Sequence, residues 1–140
     1  MKTSSGSITR ATTGNNQILD ITADLQQLVE ASRVRTGQMV AMVVGSTAGL
    51  TTLEFEPGLV SHDLAAAMEQ IAPKHGDYLH EETWHDDNGH SHVRAALLGA
   101  SLTLPIVDGH LPLGTWQQTV LVDFDTRPRQ RQIVVTIVGD

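Results

Sequence analysis

The sequence predicts an α+β fold in which a compact mixed β-sandwich is flanked by helices. Segments that alternate like strands and segments spaced like amphipathic helices follow one another without the regular spacing of βαβ units. The last two strand segments are rich in Val, Ile and Leu, which indicates strands packed beneath helices. The chain of 140 residues has the length of one domain, so we expect residues 1–140 to fold as a single unit.

The N-terminal part of the chain predicts two strands and a helix. Residues 7–13 and 17–21 favour short strands around a Gly-Asn-Asn turn, which predicts a hairpin. The segment 22–37 contains the apolar stripe of an amphipathic helix. We expect Thr22 to cap its N-terminus and Gly37 to close its C-terminal end.

The next part predicts two further strands and a second helix. Residues 38–45 are almost continuously apolar, as expected of a strand buried on both faces. Residues 50–56 alternate like a half-buried strand. A helix is expected at 61–72, with Ser61 as its N-cap and Pro73 directly after its last residue.

The C-terminal half predicts a helix at 91–100 followed by three strands. The strands fall at 101–107, 118–125 and 130–138, and a turn at 108–110 follows the first of them. The apolar side chains of the last two strands exceed what one small domain covers. This excess favours burial against another subunit.

Composition excludes several classes of protein. The chain has no cysteine, so any metal must be held by nitrogen and oxygen ligands. A net charge of −7 argues against a nucleic-acid partner. No apolar run approaches the roughly 20 residues that span a bilayer, and residues 1–17 lack the apolar stretch of a secretory signal. We therefore expect a cytoplasmic protein with no membrane partner.

A cluster of histidines lies in the middle of the chain. The segment 83–92, TWHDDNGHSH, contains three of the seven histidines, and His80 lies just upstream. Imidazoles are the commonest protein ligands of divalent transition metals, and Asp86 adds a carboxylate. The cluster is typical of a site with two or three histidines, a carboxylate and an open coordination position. A polar surface loop is the competing interpretation, and spacing alone does not decide between them.

The segment 101–120, SLTLPIVDGHLPLGTWQQTV, is more specific. It resembles the signature of the YjbQ family, which is labelled secondary thiamine-phosphate synthase and is largely uncharacterised. Four other blocks, at 46–59, 78–80, 88–99 and 127–139, are similar to shared blocks of that family in the same order. The resemblance therefore covers almost the whole chain. Thr119 departs from the usual Ile or Val of the signature, which concerns packing only.

The resemblance implies a homotrimer with a histidine-lined pocket near the subunit boundary and a divalent ion, often zinc. Carried over by position, its motifs assign His80, His90 and His92 to the site. Many members also have a histidine where this chain has Gly45, and His85 is the candidate to replace that imidazole. We expect the metal ligands to be His80, His85 and His92, with His90 as the alternate for His85.

Several other residues are candidates for binding the ligand. Ser46 and Thr47 follow a predicted strand in a Gly-bounded turn, whose hydroxyls and amides suit a phosphate oxygen. An ordinary turn between strands is the competing interpretation. Trp116 is expected to wall the pocket and Gln117 to orient the ligand, although a tryptophan in the core or at an interface explains the same sequence.

The alternating arginines of the C-terminal segment allow two interpretations. Arg129, with Arg127 and Arg131 as its neighbours in the pattern, is a candidate for binding a substrate phosphate. Ion pairs with Asp123 or Asp125, within or between subunits, explain these arginines equally well.

Two functions follow from these residues. The first is a metal-dependent enzyme acting on a small phosphorylated metabolite, with His85, Asp86 and Gln117 as candidate catalytic residues. The family label implies a side activity as thiamine-phosphate synthase, a transferase that releases diphosphate. The second is a non-catalytic trimeric protein that binds a metal or a metabolite.

Overall fold

Two antiparallel β-sheets and four α-helices make up the chain in a computed structural model, which describes residues 1–140. The strands are β1 Lys2–Thr12, β2 Gln17–Asp20, β3 Thr36–Val43, β4 Ala48–Glu54, β5 Ser101–Val107, β6 Gln117–Asp123 and β7 Arg129–Gly139. The helices are α1 Thr22–Ser32, α2 Leu64–Ile71, α3 Leu79–Trp84 and α4 Gly89–Leu98. The predicted α+β class is confirmed.

The sheets differ in size and in strand order. Four strands form one sheet in the order β1-β7-β3-β5, and three strands form the other in the order β2-β6-β4. Every pairing is antiparallel. The long β1–β7 ladder joins the N-terminal strand to the C-terminal strand, with Thr12 opposite Arg129 at one end and Lys2 opposite Gly139 at the other.

The core lies on both sides of the three-stranded sheet. Leu25 of α1 and Leu121 of β6 belong to the larger apolar cluster, which fills the space against the four-stranded sheet. Val120 of β6 belongs to the smaller cluster with Met68 of α2 and Ala95 of α4. Strand β6 therefore separates two apolar layers, and its residues 119–123 are buried on both faces. Complete burial of each such aliphatic side chain contributes roughly 1.5–3 kcal/mol.

Some predicted elements are confirmed with small shifts at their ends. The strand at 101–107 has the predicted bounds, and the last two strands shift by one or two residues. The predicted hairpin is wrong, because β1 pairs with β7 while β2 pairs with β6 in the other sheet. The Gly-Asn-Asn segment is instead the crossing between sheets. Gly14, Asn15 and Asn16 all have positive φ there, and the Asn15 amide donates to the Asp125 carbonyl at 2.7 Å.

Strand β3 is not buried on both faces as predicted. Met39, Ala41 and Val43 face the core, whereas Val40 and Met42 are exposed on the other face of the four-stranded sheet. No helix covers that outer face, so the apolar run reflects an exposed apolar surface rather than a strand buried on both faces.

Three of the predictions about helix ends are also wrong. Helix α1 ends at Ser32, where Arg33 adopts the left-handed conformation, and Gly37 lies inside β3. Thr22 is the first helical residue rather than the cap. The Ser61 hydroxyl donates to the Pro57 carbonyl within a π-helical turn, instead of capping α2.

Helix α4 is fixed to both sheets at its two ends. The Ser91 hydroxyl in its first turn donates to the Phe124 carbonyl. At its other end, the Gly99 carbonyl accepts a hydrogen bond from the Leu50 amide at 3.0 Å, and the Ala100 carbonyl accepts one from the Val43 amide at 2.9 Å. These bonds hold α4 against the turn between β3 and β4. None of the helices is both long and apolar enough to cross a membrane.

Arg94 anchors α4 to its surroundings through three nitrogen atoms, and 2% of its side chain is exposed. Its Nε donates to the Ala72 carbonyl at 2.9 Å, Nη1 to Asn16 Oδ1 at 2.8 Å and Nη2 to Glu69 Oε2 at 2.6 Å. Arg94→Met keeps an apolar stem and leaves these acceptors without their donor. We expect the free energy of unfolding to fall by about 2–3 kcal/mol in urea titrations.

Glu69→Gln is the matched control for this variant. It retains a side-chain oxygen that accepts from Arg94, and the Glu69 side chain is half exposed. If Glu69→Gln lowers the free energy of unfolding as much as Arg94→Met does, the anchoring role of the Arg94 guanidinium is contradicted.

Candidate functional site

A cleft of about 360 Å³ lies where the β3–β4 turn faces α4. Gly45 and Ser46 line it from the turn, and His92 and Gly99 line it from α4. The positive φ of 126° at Gly45 turns the chain sharply as β3 ends. The cleft therefore combines an imidazole with the exposed backbone of a tight turn.

His80 and His92 are brought together beside this cleft. Their ring centroids lie 4.4 Å apart with the rings tilted by 52°. His80 lies in the first turn of α3, and His92 lies in the first turn of α4. The His80 Nε2 atom is 3.5 Å from Asp86 Oδ1, so the nearest carboxylate belongs to the short connection between the helices. Two imidazoles, one from each helix, and the carboxylate between the helices therefore lie close together.

Asn88 supports the carboxylate of this trio. With its amide oriented to donate, the Asn88 nitrogen lies 3.0 Å from Asp86 Oδ1 and 3.2 Å from Oδ2. Asn88 is itself buried, so the bond holds Asp86 from the protein side.

His85 and His90, the other predicted metal ligands, have different surroundings. His85 is the left-handed residue that ends α3, and it is exposed. His90 is 2% exposed, its ring faces Tyr78 at a centroid distance of 6.4 Å, and Ser91 Oγ lies 3.3 Å from its Nε2. Its Nδ1 has no hydrogen-bond partner. The chain contains no group of three or more His, Asp or Glu side chains arranged to hold a metal ion.

The surroundings of His92 favour its neutral form. Burial lowers the pKa of the imidazole, and the adjacent His80 lowers it further. Asp86, Asp125 and a hydrogen bond to the Ser46 backbone raise the pKa, but the net change is downward. A neutral imidazole is the form that binds a metal ion.

A buried ion pair lies beneath the β3–β4 turn. Arg131 Nε donates to Asp123 Oδ2 at 2.7 Å, and Arg131 Nη2 donates to Asp123 Oδ1 at 2.9 Å. Arg131 Nη2 also donates to the Thr47 hydroxyl at 2.7 Å, and Thr12 donates to Asp123 at 2.5 Å. Burial raises the pKa of Asp123, but the hydrogen bonds and charge of Arg131, with Thr12 and the Asp125 amide, outweigh it and hold the pKa below its usual value.

A second buried carboxylate adjoins the first. Asp125 Oδ2 accepts from the Thr47 hydroxyl and from Arg129 Nε, each at 2.9 Å, and Oδ1 accepts from the Thr126 amide at 2.7 Å. The structural interpretation of the arginines is thus confirmed: Arg129 pairs with Asp125, and Arg131 pairs with Asp123. The Thr47 hydroxyl, predicted to bind phosphate, both accepts and donates within this network, whereas Ser46 is exposed.

Trp116 and Gln117 do not lie beside the histidines within the chain. The exposed indole of Trp116 borders a separate cleft of about 460 Å³, together with Glu54 at the far end of β4 from the β3–β4 turn. Gln117 Nε2 donates to Thr52 Oγ1 at 3.0 Å, and its Oε1 accepts from the Gly114 amide at 3.1 Å. This second cleft is larger, but it contains no histidine.

Helix α3, which positions His80, was not predicted. It has no buried residue, so it lacks the apolar periodicity on which the other helix predictions depend. The sequence does contain one sign of a helix start, the acidic pair Glu81 and Glu82 in its first turn.

Comparisons with known proteins give one consistent result. The YjbQ family profile, described as UPF0047 protein YjbQ-like, matches residues 6–140. A UPF0047 protein of Methanocaldococcus jannaschii is 34% identical over 92% of this chain and 90% of its own length. The UPF0047 protein YjbQ of Escherichia coli O157:H7 is 32% identical over 83% of each chain.

Solved structures have the same fold. A hypothetical protein of Aeropyrum pernix K1 superposes with a TM-score of 0.89 at 30% identity, covering 98% of this chain and 99% of that one. A YbjQ-like protein of unknown function from Sulfolobus solfataricus P2 superposes with a TM-score of 0.85 at 30% identity, covering 99% of both.

The lowered pKa of Asp123 leads to a prediction about acid stability. A carboxyl whose pKa is lower in the folded state stabilises the fold above its unfolded pKa of about 4 and loses this effect as pH falls through the folded pKa. Asp123→Asn leaves the Arg131 charge buried without its partner. We expect a loss of about 3–5 kcal/mol in the free energy of unfolding at pH 7.

The difference in the free energy of unfolding between wild type and Asp123→Asn is expected to become smaller as pH falls below about 4. Urea titrations over a range of pH measure it, and Asp108→Asn, at an exposed turn, is the control. A difference that is the same at pH 7 and at acid pH would contradict the role given to the Asp123 charge.

Proposed function

The chain belongs to the YjbQ-like UPF0047 family, and we propose that it is a metal-dependent enzyme acting on a small phosphorylated metabolite. The observation that carries the proposal is the pair of imidazoles, His80 and His92, at 4.4 Å beside an open cleft. Two histidines on separate helices, with their rings this close, suit a shared ligand better than a solvated loop.

The donor types, though not their present arrangement, suit a divalent ion of the zinc type. His80 and His92 would supply two imidazole nitrogens and Asp86 a carboxylate oxygen, and these side chains would have to move to reach one ion. Asn88 supports the carboxylate in the way that hydrogen bonds from a neighbouring residue orient metal ligands. We do not include His85 and His90, because His85 is exposed and His90 is enclosed beside Tyr78.

A bound divalent ion would supply a Lewis acid able to polarise an oxygen of the substrate. The chain's own contribution is to hold and orient the ligands and substrate. The cleft offers the exposed Ser46 hydroxyl and the backbone of the Gly45–Ser46 turn to an anionic group. Asp86 is assigned to the metal, and Asp123 and Asp125 are already hydrogen-bonded, so none of these three carboxylates is left as a free acid–base group. The side activity as thiamine-phosphate synthase belongs to the same proposal and is supported by the signature resemblance alone.

A non-catalytic metal- or metabolite-binding protein is the second candidate. The observation that favours it is the engagement of the two buried carboxylates nearest the turn, which leaves Asp86 as the one carboxylate beside the imidazoles. Turnover of phosphorylated substrates separates the two candidates.

The metal proposal predicts the effect of removing both imidazoles. The double variant His80→Ala/His92→Ala is expected to lose stoichiometric zinc while remaining folded, because both rings are partly exposed and not part of the core. Zinc content after dialysis, measured by mass spectrometry, is the readout. His62→Ala/His75→Ala removes two exposed histidines away from the cleft and is expected to keep its zinc.

The catalytic proposal is tested with the same variants. Zinc-loaded wild type is expected to release phosphate or diphosphate from members of a panel of phosphorylated metabolites, and the His80/His92 variant is expected to lose that release at least tenfold. Zinc binding without turnover of any panel member favours the binding protein. Equal zinc content in wild type and the His80/His92 variant contradicts the metal site itself.

We also propose that the protein is a homotrimer. The outer face of the four-stranded sheet exposes Val40, Met42 and Val44 of the β3 region and Val134 of β7, and no helix covers them. Apolar side chains grouped in this way are typical of subunit interfaces. Assembly provides a route by which the exposed Trp116 and Gln117 contribute to a neighbouring subunit's cleft.

Light scattering at micromolar concentration is expected to give three times the chain mass of 15.1 kDa. Met42→Lys places a charge on the outer face and is expected to shift the distribution towards smaller species. Ala23→Lys, on the exposed side of α1, is the control that leaves the mass unchanged. A monomeric wild type rules out this assembly.

A further inference from the structure

The cleft has a second feature that depends on Arg131 and Gly45. We infer that Nη1 of Arg131 binds an oxyanion of the ligand, and that Gly45 determines this by leaving the nitrogen uncovered. The inference rests on the proposed function and deepens it, since it names the group that recognises the anionic part of the ligand.

The first step is the geometry of the Arg131 side chain, which is 7% exposed. Nε and Nη2 are fixed by Asp123, and Nη2 also donates to Thr47. None of the hydrogen bonds in the structure uses Nη1. The fully buried side-chain atoms without a partner are His90 Nδ1 and Thr119 Oγ1, so Nη1 keeps some exposure and is free to donate to an incoming acceptor.

The second step is the position of Nη1. A Cβ atom built on Gly45 would lie 2.6 Å from it, closer than any real contact of that kind. Gly45 lines the same cleft as His92. Arg131 itself does not line the cleft, so Nη1 lies directly behind Gly45 at its edge, and any side chain at position 45 would cover it.

The third step is the local charge. Both oxygens of Asp123 already accept hydrogen bonds, Oδ1 from Arg131 and the Asp125 amide and Oδ2 from Arg131 and Thr12. The Asp125 oxygens are occupied in the same way. An oxyanion at Nη1 thus meets a charged donor, while the neighbouring carboxylates remain directed at their own partners. A charge-assisted bond of this kind is roughly twice as strong as a neutral one.

The fourth step is the ligand class. The chain carries a net charge of −7, so a general attraction for anions does not explain binding here. Selectivity must come from the local donors, namely Nη1 with the neighbouring Ser46 hydroxyl. A terminal phosphate presents several oxygens to such donors. Because the resemblance places a histidine at position 45 in many members, this opening distinguishes the present chain from them.

Inorganic phosphate is the probe, titrated calorimetrically into metal-free protein in the presence of a chelator. Gly45→Ala is expected to weaken phosphate binding at least tenfold, because its methyl group covers Nη1 and Arg131 is held at its other two nitrogens. Gly99→Ala is the matched control. Gly99 lines the same cleft and also has a positive φ, of 97°, but a Cβ there meets no atom within 4 Å.

The inference is overturned if the two glycine variants lose phosphate affinity equally, or if Gly45→Ala loses none. Wild type itself gives a second readout if Gly45→Ala does not fold. In protein labelled with ¹⁵N-arginine, the Arg131 guanidinium resonances are expected to shift on addition of phosphate, and unchanged resonances overturn the inference.

Zinc binding and phosphate binding, each measured on wild type, separate this site from the metal. Phosphate binding that persists while zinc binding fails in wild type supports the anion site and removes the metal-dependent function. Zinc binding in a wild type that does not bind phosphate supports the metal site and overturns the anion site.

Discussion

The buried pair of Asp123 and Arg131 is the interaction on which the arrangement of the two sheets depends. Asp123 ends β6 in the three-stranded sheet, and Arg131 lies in β7 of the four-stranded sheet. Thr12 of β1 donates to Asp123, and Thr47 of the β3–β4 turn accepts from Arg131. Burying two charges is expensive, and the expense is offset only when the geometry is good and every polar atom has a partner. The pair therefore specifies how four segments meet.

The candidate site is held in place on one side by this ion pair and on the other side by α4. The network fixes Thr47 and so the end of the turn, while Ser91 fixes the first turn of α4 from which His92 projects. His80 is different, because α3 has no buried residue. Segments with few buried contacts open at low free-energy cost. We infer that a ligand shared by His80 and His92 would hold α3 in place as well as occupy the cleft.

Strands and site residues differ in how far the sequence predicts them, because only some of them carry a local pattern or motif. Strands β5 to β7 are predictable because their segments are rich in Val, Ile and Leu, and the family motifs point to His80 and His92 as members of one site. The partner of β1 was not predictable in the same way, since β7 lies more than a hundred residues along the chain and local turn chemistry favours a hairpin. An exposed apolar run resembles a doubly buried one, which explains the error at β3.

Zinc-edge anomalous diffraction from crystals grown with zinc would locate a bound ion relative to His80 and His92. We expect one strong anomalous peak per chain, within coordination distance of both imidazoles and with Asp86 as the nearest carboxylate. A peak bound to other histidines, with His80 and His92 uncoordinated, would contradict this expectation.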